Sequence, residues 1–417
     1  MTELLSPAGN FEKLQAALRF GADAVYLAGK SFGMRSAADN FTDEELALAA
    51  EYVHQRGKKL YITVNTMPHG GEYPHLCTYL QTVGRIGADA VIVSDMGVFA
   101  TVRELLPQMD IHVSTQASIV SPAAAKAWAA LGATRLVLAR ELNMGEVQAI
   151  REALDPAVEL EAFVHGSMCV SYSGRCMLSN QFTGRDANRG GCAQPCRWNY
   201  TIVEEKRPDE RLPVLENENG TFILSSKDMC VLRHVPELIR AGVTSFKIEG
   251  RMKSAYYTAV VTNAYRMAID AYLADPEGYV FDERLYREVE SVSHRAYGTG
   301  YWFDDPRQNP QLTADVGYIR EKAYFATVSQ TGELPAGLVP QNEQGKLCRL
   351  MQRNKVCLGD PAELLTPGRV GIPFTVTELY DSEGAPIESA PHPKMEFFCR
   401  LPKEAEAGDI IRAGESD

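Results

Sequence analysis

No stretch of this chain stays apolar for the ~18 residues that a bilayer-crossing helix needs. Its first ten residues, MTELLSPAGN, hold neither the basic cluster nor the apolar run of an export signal. The expectation is a cytoplasmic (cytosolic) protein that does not engage a membrane. Basic charge is scarce too: 42 Lys and Arg stand against 54 Asp and Glu, for a net charge of -12. A global electrostatic footprint for nucleic acid is thereby excluded, so any RNA contact must be a local patch. Glycine and proline, at 33 and 22 of 417 residues, are too few for a collagen-like or disordered chain, and the hydrophobic fraction of 45% is ordinary for a globular one. That length implies two or three domains at roughly 150 residues each, with room for a large core.

What the chain does have is a repeated unit. Apolar, β-branched runs recur every 20 to 30 residues up to about residue 166: Leu4-Leu5, Ala24–Leu27, Leu60–Val64, Ala90–Val93, Ile111–Val113, Arg135–Leu138 and Leu160–Val164. Few of them alternate cleanly with polar residues, which is the pattern of strands covered by helices in a parallel sheet. The intervening segments are punctuated as helices. Thr42 and Glu45 form a capping-box pair, Leu46, Ala49, Ala50 and Val53 follow at helical spacing, and Gly57 stops the run. A first helix carries Leu14, Ala17 and Leu18 on one face and ends at Gly21. The words GADAV at 21–25 and 87–91, with GATRLV at 132–137, echo one unit of helix stop, turn and buried strand.

With Phe222–Leu224 and Ser245–Ile248, nine strand candidates compete for eight places in a (β/α)8 TIM-like barrel, and the segment at 222 is expected to lie outside the ring. The domain expectation is a barrel over 1–303 with a cysteine-rich insertion at about 167–220 and a helical stretch near 253–297. A linker at 304–316 and a small all-β, barrel-like unit at 317–417 follow.

Of nine cysteines, Cys169, Cys176, Cys192 and Cys196 crowd into one loop among Gly and Arg, with six, fifteen and three residues between successive members. Four thiolates so close need a cation, and soft sulfur donors suit zinc or an iron-sulfur cluster. Only the last pair is tight, whereas structural zinc usually shows two tight knuckles, so the spacing favours iron-sulfur. Cys230 is a reserve ligand. Cys77, Cys348, Cys357 and Cys399 read as packed thiols.

The words EAFVHGSMCVSYSGRCMLS, NRGGCAQPCRW, SSKDMC and FKIEGRMKS resemble the collagenase-like peptidases, family thirty-two of unassigned catalytic type (U). So do SPAG at residue 6, the VNT at 64–66, VSTQAS at 113–118 and HRAYGTGYW at 294–302. The resemblance spans about 300 residues, and the β unit is similar to an accessory domain of some members. It implies oxygen-independent hydroxylation more than proteolysis. One branch makes 5-hydroxyuridine at the tRNA wobble position with prephenate, one modifies a cytidine of large-subunit ribosomal RNA, and one serves ubiquinone synthesis. It also implies a 4Fe-4S cluster, here on Cys169, Cys176, Cys192 and Cys196. Cys196-Arg197-Trp198 keeps the word of the RNA-acting branches, which favours tRNA as partner. A second protein of the same family is a further possible partner.

Chemistry in a barrel sits where strands end. The polar residues expected there are Asn65, Asp95, Gln116, Arg140, Glu141, His165, Lys227, Asp228, Lys247, Glu249 and Arg251. Arg140 and Arg251 suit a small dicarboxylate such as prephenate, since guanidinium pairs bidentately with carboxylate. His165 and Glu249 are the proton-transfer candidates. A peptidase signal is thin: there is no H-E-x-x-H, and the G-x-S-x-G of Gly29–Gly33 is followed by some nine loop residues instead of a helix. The same Gly29-Lys30-Ser31 fails as a phosphate loop because Ala24 stands where the first glycine belongs. Local charge supports RNA: Arg175, Arg185, Arg189 and Arg197 interleave with Tyr172, Phe182 and Trp198, and Lys346, Arg349, Arg353 and Lys355 form an acid-free run.

Overall fold

The computed structural model describes the chain apart from residues 1, 35–38, 169–177, 188–189, 199–201, 205–206, 213–215, 218–219, 222–224, 304–311, 314–317, 332–333, 336, 344 and 416–417. Cys169, Cys176, Tyr172, Arg175, Arg189, the strand candidate at 222 and most of the expected linker lie outside the described residues.

Seven strands and six helices alternate first: β1 Glu3–Pro7, α1 Phe11–Arg19, β2 Ala24–Leu27, α2 Asp43–His54, β3 Lys59–Val64, α3 Tyr73–Arg85, β4 Ala90–Val93, α4 Met96–Leu105, β5 Asp110–Val113, α5 Pro122–Ala130, β6 Arg135–Val137, α6 Met144–Ala153 and β7 Glu159–Ser167. Each strand pairs in parallel with the next. The strand Ser245–Ile248 then bonds to both β7 and β1, which closes an eight-stranded parallel ring. The ring is complete without the segment at 222.

Local chemistry explains the punctuation. Thr42 caps α2 by accepting from the Glu45 amide at 3.2 Å while the Glu45 carboxylate accepts from the Thr42 amide at 2.8 Å, and Leu46, Ala49, Ala50 and Val53 are the buried face. Gly21, Gly87 and Gly132, the glycines of the repeated word, all adopt positive φ (102°, 76° and 99°), the left-handed turn that ends a helix before the next strand.

By contacts the chain groups into two compact units. The first holds residues 1–14, 22–253 and 294–319; the second holds 15–21, 254–293 and 320–417. The helices Ala255–Ala274 and Glu283–Glu290 therefore group with the C-terminal residues. The second unit's sheet has seven antiparallel strands around a core that includes Phe325, Leu350, Leu364 and Phe397. Within it Arg412, 1% exposed, bonds Glu288 at 2.7 Å and Glu363 at 2.6 Å, so one buried cation ties helix to sheet. No described helix is long and apolar enough to cross a membrane.

Candidate active site

The interior of the barrel is polar at both ends. At the N-terminal ends of the strands, Arg135 is 1% exposed and its guanidinium meets Glu3 at 2.5 Å, Glu159 at 2.6 Å and Glu161 at 3.1 Å. Tyr61 donates to Glu3 at 2.6 Å, and Ser245 donates to the same carboxylate at 2.8 Å. Burial pushes the Glu3 carboxyl up, but Arg135 outweighs it and holds Glu3 below the usual carboxylate range. His112 packs edge-on to Tyr61 with ring centroids 4.6 Å apart. Burial, with Arg135 and Lys247 nearby, lowers its pKa well below the ordinary value, so its imidazole is neutral.

At the C-terminal ends a pocket with a cavity volume of about 110 Å³ opens to solvent, lined from β2 to β7 and from Ser245–Ile248 by strand residues and the loops after them. Arg140, Arg251, Lys247 and Glu249 supply charge; Asn65, Gln116, Ser114 and Thr63 supply polar groups; Tyr26, Phe163, Ile92 and Val137 supply apolar wall. Asn65 donates to Gln116 at 2.6 Å, and its own side-chain oxygen accepts from the Met34 amide at 3.2 Å, which fixes the rim. Arg251 donates to Thr63 Oγ1 at 3.1 Å. Arg140 lies over the Phe163 ring at 4.0 Å and donates to the Ser167 carbonyl at 2.7 Å, while its Nε has no hydrogen-bond partner among the described residues. An orphaned guanidinium N–H is a standing donor for an anionic ligand.

Six of the eleven polar residues expected at the strand ends line this pocket: Asn65, Gln116, Arg140, Lys247, Glu249 and Arg251. Asp95 instead caps α4, accepting from the Val98 amide at 3.0 Å. Tyr26 and Phe163 wall the pocket, and Phe163 belongs to the EAFVHGSMC word. Tyr26 belongs to no motif; its signal is that it is an inward position of a barrel strand.

His165 does not line the pocket, and a β-bulge is the reason. Lys247 pairs with Phe163 but Ile248 pairs with His165, so Val164 is skipped and the inward-outward alternation slips by one. His165 then shares the side of Ile248, which is not a pocket residue either. It is 1% exposed and lies 3.3 Å from the Tyr297 hydroxyl through Nε2. Burial lowers its pKa to about 3 against an opposing pull from Asp228, so it is neutral at neutral pH. Asp228 is itself held by Arg295 at 2.7 Å; burial raises its pKa, and Arg295 more than offsets that.

The cysteine-rich insertion reaches the pocket wall at two places. Arg140 grips Ser167, two residues before Cys169, and its Nη1 lies 3.9 Å from the Met168 sulfur. Gly190, two residues before Cys192, packs on the backbone of Gly33 and Met34, and Met34 lines the pocket. Gly190 has φ 91°, and a Cβ there would stand 2.9 Å from the Gly33 carbonyl, so a larger residue would push this segment away. Cys192 and Cys196 are half-buried, on a turn pinned by Ser179, which accepts from the Ala193 amide at 3.0 Å. Partly accessible thiols with three residues between them are a suitable donor pair for a soft metal cluster. Among the described residues no group of three or more His, Cys, Asp or Glu side chains gathers as a metal site. Cys230 is buried opposite His165 in the short strand Asp228–Cys230.

Ser31 of the G-x-S-x-G word stands 3.1 Å from His75 Nε2. The left-handed residue is Phe32 (φ 56°), not Ser31 as an elbow nucleophile requires, and no carboxylate bonds His75 among the described residues. Neither side chain lines the pocket.

A family model described as Peptidase family U32 matches residues 9–312, and one described as Peptidase family U32 C-terminal domain matches 336–412. The chain is 36% identical to tRNA hydroxylation protein P1 of Bacillus subtilis, over 99% of this chain and 95% of that protein. It is 40% identical to a 23S rRNA 5-hydroxycytidine synthase of Escherichia coli, over 66% of this chain but 40% of that one. It is also 34% identical to a protein named Collagenase from Porphyromonas gingivalis, over 77% and 78% of the two chains.

Proposed function

The chain belongs to peptidase family U32, and from that membership we propose that it is an iron-sulfur tRNA hydroxylase of the cytoplasm, converting the wobble uridine to 5-hydroxyuridine without oxygen and with prephenate as co-substrate. The observation that carries this reading is the junction of the cysteine-rich insertion with a cationic pocket, through Arg140 to Ser167 and through Gly190 to Met34.

In this reading Cys169, Cys176, Cys192 and Cys196 hold a 4Fe-4S cluster, which supplies one-electron chemistry when bound. Arg140 and Arg251 receive the carboxylates of the co-substrate, with Tyr26 and Phe163 excluding water beneath it. Glu249 is the pocket group placed for proton transfer. His165, outside the pocket, is a positioning residue that holds Tyr297 and the strand bulge. For RNA, Phe182 and Trp198 are 53% and 42% exposed, unusual for large aromatics and suited to stacking on unpaired bases. A tRNA substrate is favoured over ribosomal RNA because the chain matches nearly the whole length of the tRNA-hydroxylation relative and less than half of the rRNA one.

Nucleoside mass spectrometry of tRNA from a deletion strain, with wild-type or Cys192→Ala complementation, tests the reading. Loss of 5-hydroxyuridine that only the wild type restores is expected, together with stoichiometric iron and sulfide in anaerobically purified protein. Unchanged tRNA in a strain without a paralogue, or stoichiometric zinc, would overturn it. Gelatin cleavage by iron-free protein, abolished by Ser31→Ala, would favour the peptidase reading that the Ser31–His75 contact keeps open.

A further inference from the structure

Lys247 is the lysine of the pocket lining. It stands on the closing strand Ser245–Ile248, 4% exposed, and lines the pocket. Its Nζ is 2.6 Å from Glu161 and 4.5 Å above the Tyr26 ring, with the Phe163 ring at 5.4 Å. Glu161 also accepts from Arg135 at 3.1 Å through its other oxygen, which Ser245 approaches at 3.5 Å, so its two oxygens are divided between Arg135 and Lys247. An ammonium buried this deeply carries a desolvation cost that one at the surface avoids. Placing it at the floor of an open pocket, between two aromatic faces and beside an oxygen that can take its proton, is the arrangement of an amine kept for covalent chemistry.

We propose that Lys247 binds a 2-oxo acid covalently: its amine condenses with the ketone to an imine while Arg140 and Arg251 hold the carboxylate. The proposal rests on the reading of this pocket as a carboxylate site and names the second functional group that the site recognises. The step balances without an oxidant. Glu161 takes one proton from the ammonium, and the amine nitrogen forms a bond to the carbonyl carbon. A second amine proton passes to the carbonyl oxygen, giving a carbinolamine. The proton on Glu161 then leaves with the hydroxyl as water, and the C–O bond breaks as the C=N bond forms, leaving a protonated imine. Burial lowers the pKa of Lys247, opposed by Glu161, with Arg135 pushing the same way as burial and Glu3 against it. His112 is neutral and adds no charge. These groups together favour the uncharged amine more than water does.

The test uses the full-length protein with pyruvate as probe and lactate, which keeps the carboxylate but lacks the ketone, as control. After cyanoborohydride treatment, peptide mapping should place one reduced pyruvate adduct per chain on Lys247, more than on any other lysine. Lactate should leave no adduct yet bind by calorimetry and block labelling. Lys247→Arg should bind both acids without labelling; the mapping in wild type decides the question even if that variant folds poorly. Binding of pyruvate and lactate with no adduct at Lys247 would overturn the imine and leave the carboxylate pocket standing. Failure of both acids to bind would overturn the two together.

Discussion

The two ends of the barrel interior are built from the same residue types and do opposite things. At the N-terminal end Arg135 is surrounded by Glu3, Glu159 and Glu161 and by the hydroxyl groups of Tyr61 and Ser245, so charge and hydrogen-bonding capacity are saturated. At the C-terminal end Arg140 keeps an N–H with no described partner, and it shares the open pocket with Arg251 and Lys247. Lys247 and Glu161 join the two regions at 2.6 Å. A buried cation by itself therefore says little about function: saturation marks a structural role, and an unused donor on a residue that lines a cavity marks a binding role.

Four experiments break or sharpen that contrast. The largest effect is expected from Arg135→Met, which leaves three carboxylates around an apolar side chain. Removing one partner of a buried ion pair costs about 3–5 kcal/mol, and denaturant titration should show a loss of that order. A loss below about 1 kcal/mol, as for an exposed ion pair, would mean that the saturated end is not what holds the ring together.

Arg140→Gln should do the reverse, with a small change in midpoint and a weakened carboxylate co-substrate. A hydrogen bond to a charged group is worth roughly 1.5–3 kcal/mol, so KM should rise by about ten- to a hundredfold. If stability collapses while KM holds, Arg140 belongs with Arg135 as a structural cation.

His165 tests the boundary between the regions. Its folded pKa of about 3 lies below the ordinary 6.5, so the unfolded chain binds the extra proton first as pH falls. Its contribution is complete above 6.5 and is lost as pH drops toward 3, at up to roughly 1.4 kcal/mol per pH unit. His165→Gln should flatten the stability profile in that window, read by thermal melts across pH. An unchanged profile would show that His165 is solvated in solution.

The smallest effect concerns the basic run of the second unit. Lys346 donates to the Ala405 carbonyl at 2.9 Å, Arg349 lies over the Phe398 ring at 5.3 Å with Glu396 at 3.9 Å, and Arg353 lies over the Tyr324 ring at 5.9 Å, so three of its four cations are already engaged. If this run grips RNA, Lys355→Ala should lower the salt slope of tRNA binding by about one, and changing Lys346, Arg349 and Arg353 as well should add little. An unchanged slope for Lys355→Ala moves the RNA contact to the insertion, where Arg185 is exposed.

Much of this molecule can be read in one dimension because its signals are local. Thr42 and Glu45 are three residues apart, and the glycine of each GADAV-like word acts on the turn that it occupies, so α2 and the repeating unit are legible from residue order alone. The cysteine spacing and the cationic residues at the strand ends are legible for the same reason.

Unbroken alternation along β7 would aim His165 into the pocket, and the local mark of the bulge that turns it away is Gly166, at φ 108°. The saturated ion network has no such local mark, because Glu3 and Ser245 are 242 residues apart and meet only when the last strand closes on the first. Residue chemistry and short-range spacing thus determined the repeating βα unit, the cysteine loop and the cations available for a site. Ring closure decided which cations are saturated and which face the pocket, and one skipped residue turned His165 away from it, since burial, register and partnership are properties of distant segments brought together.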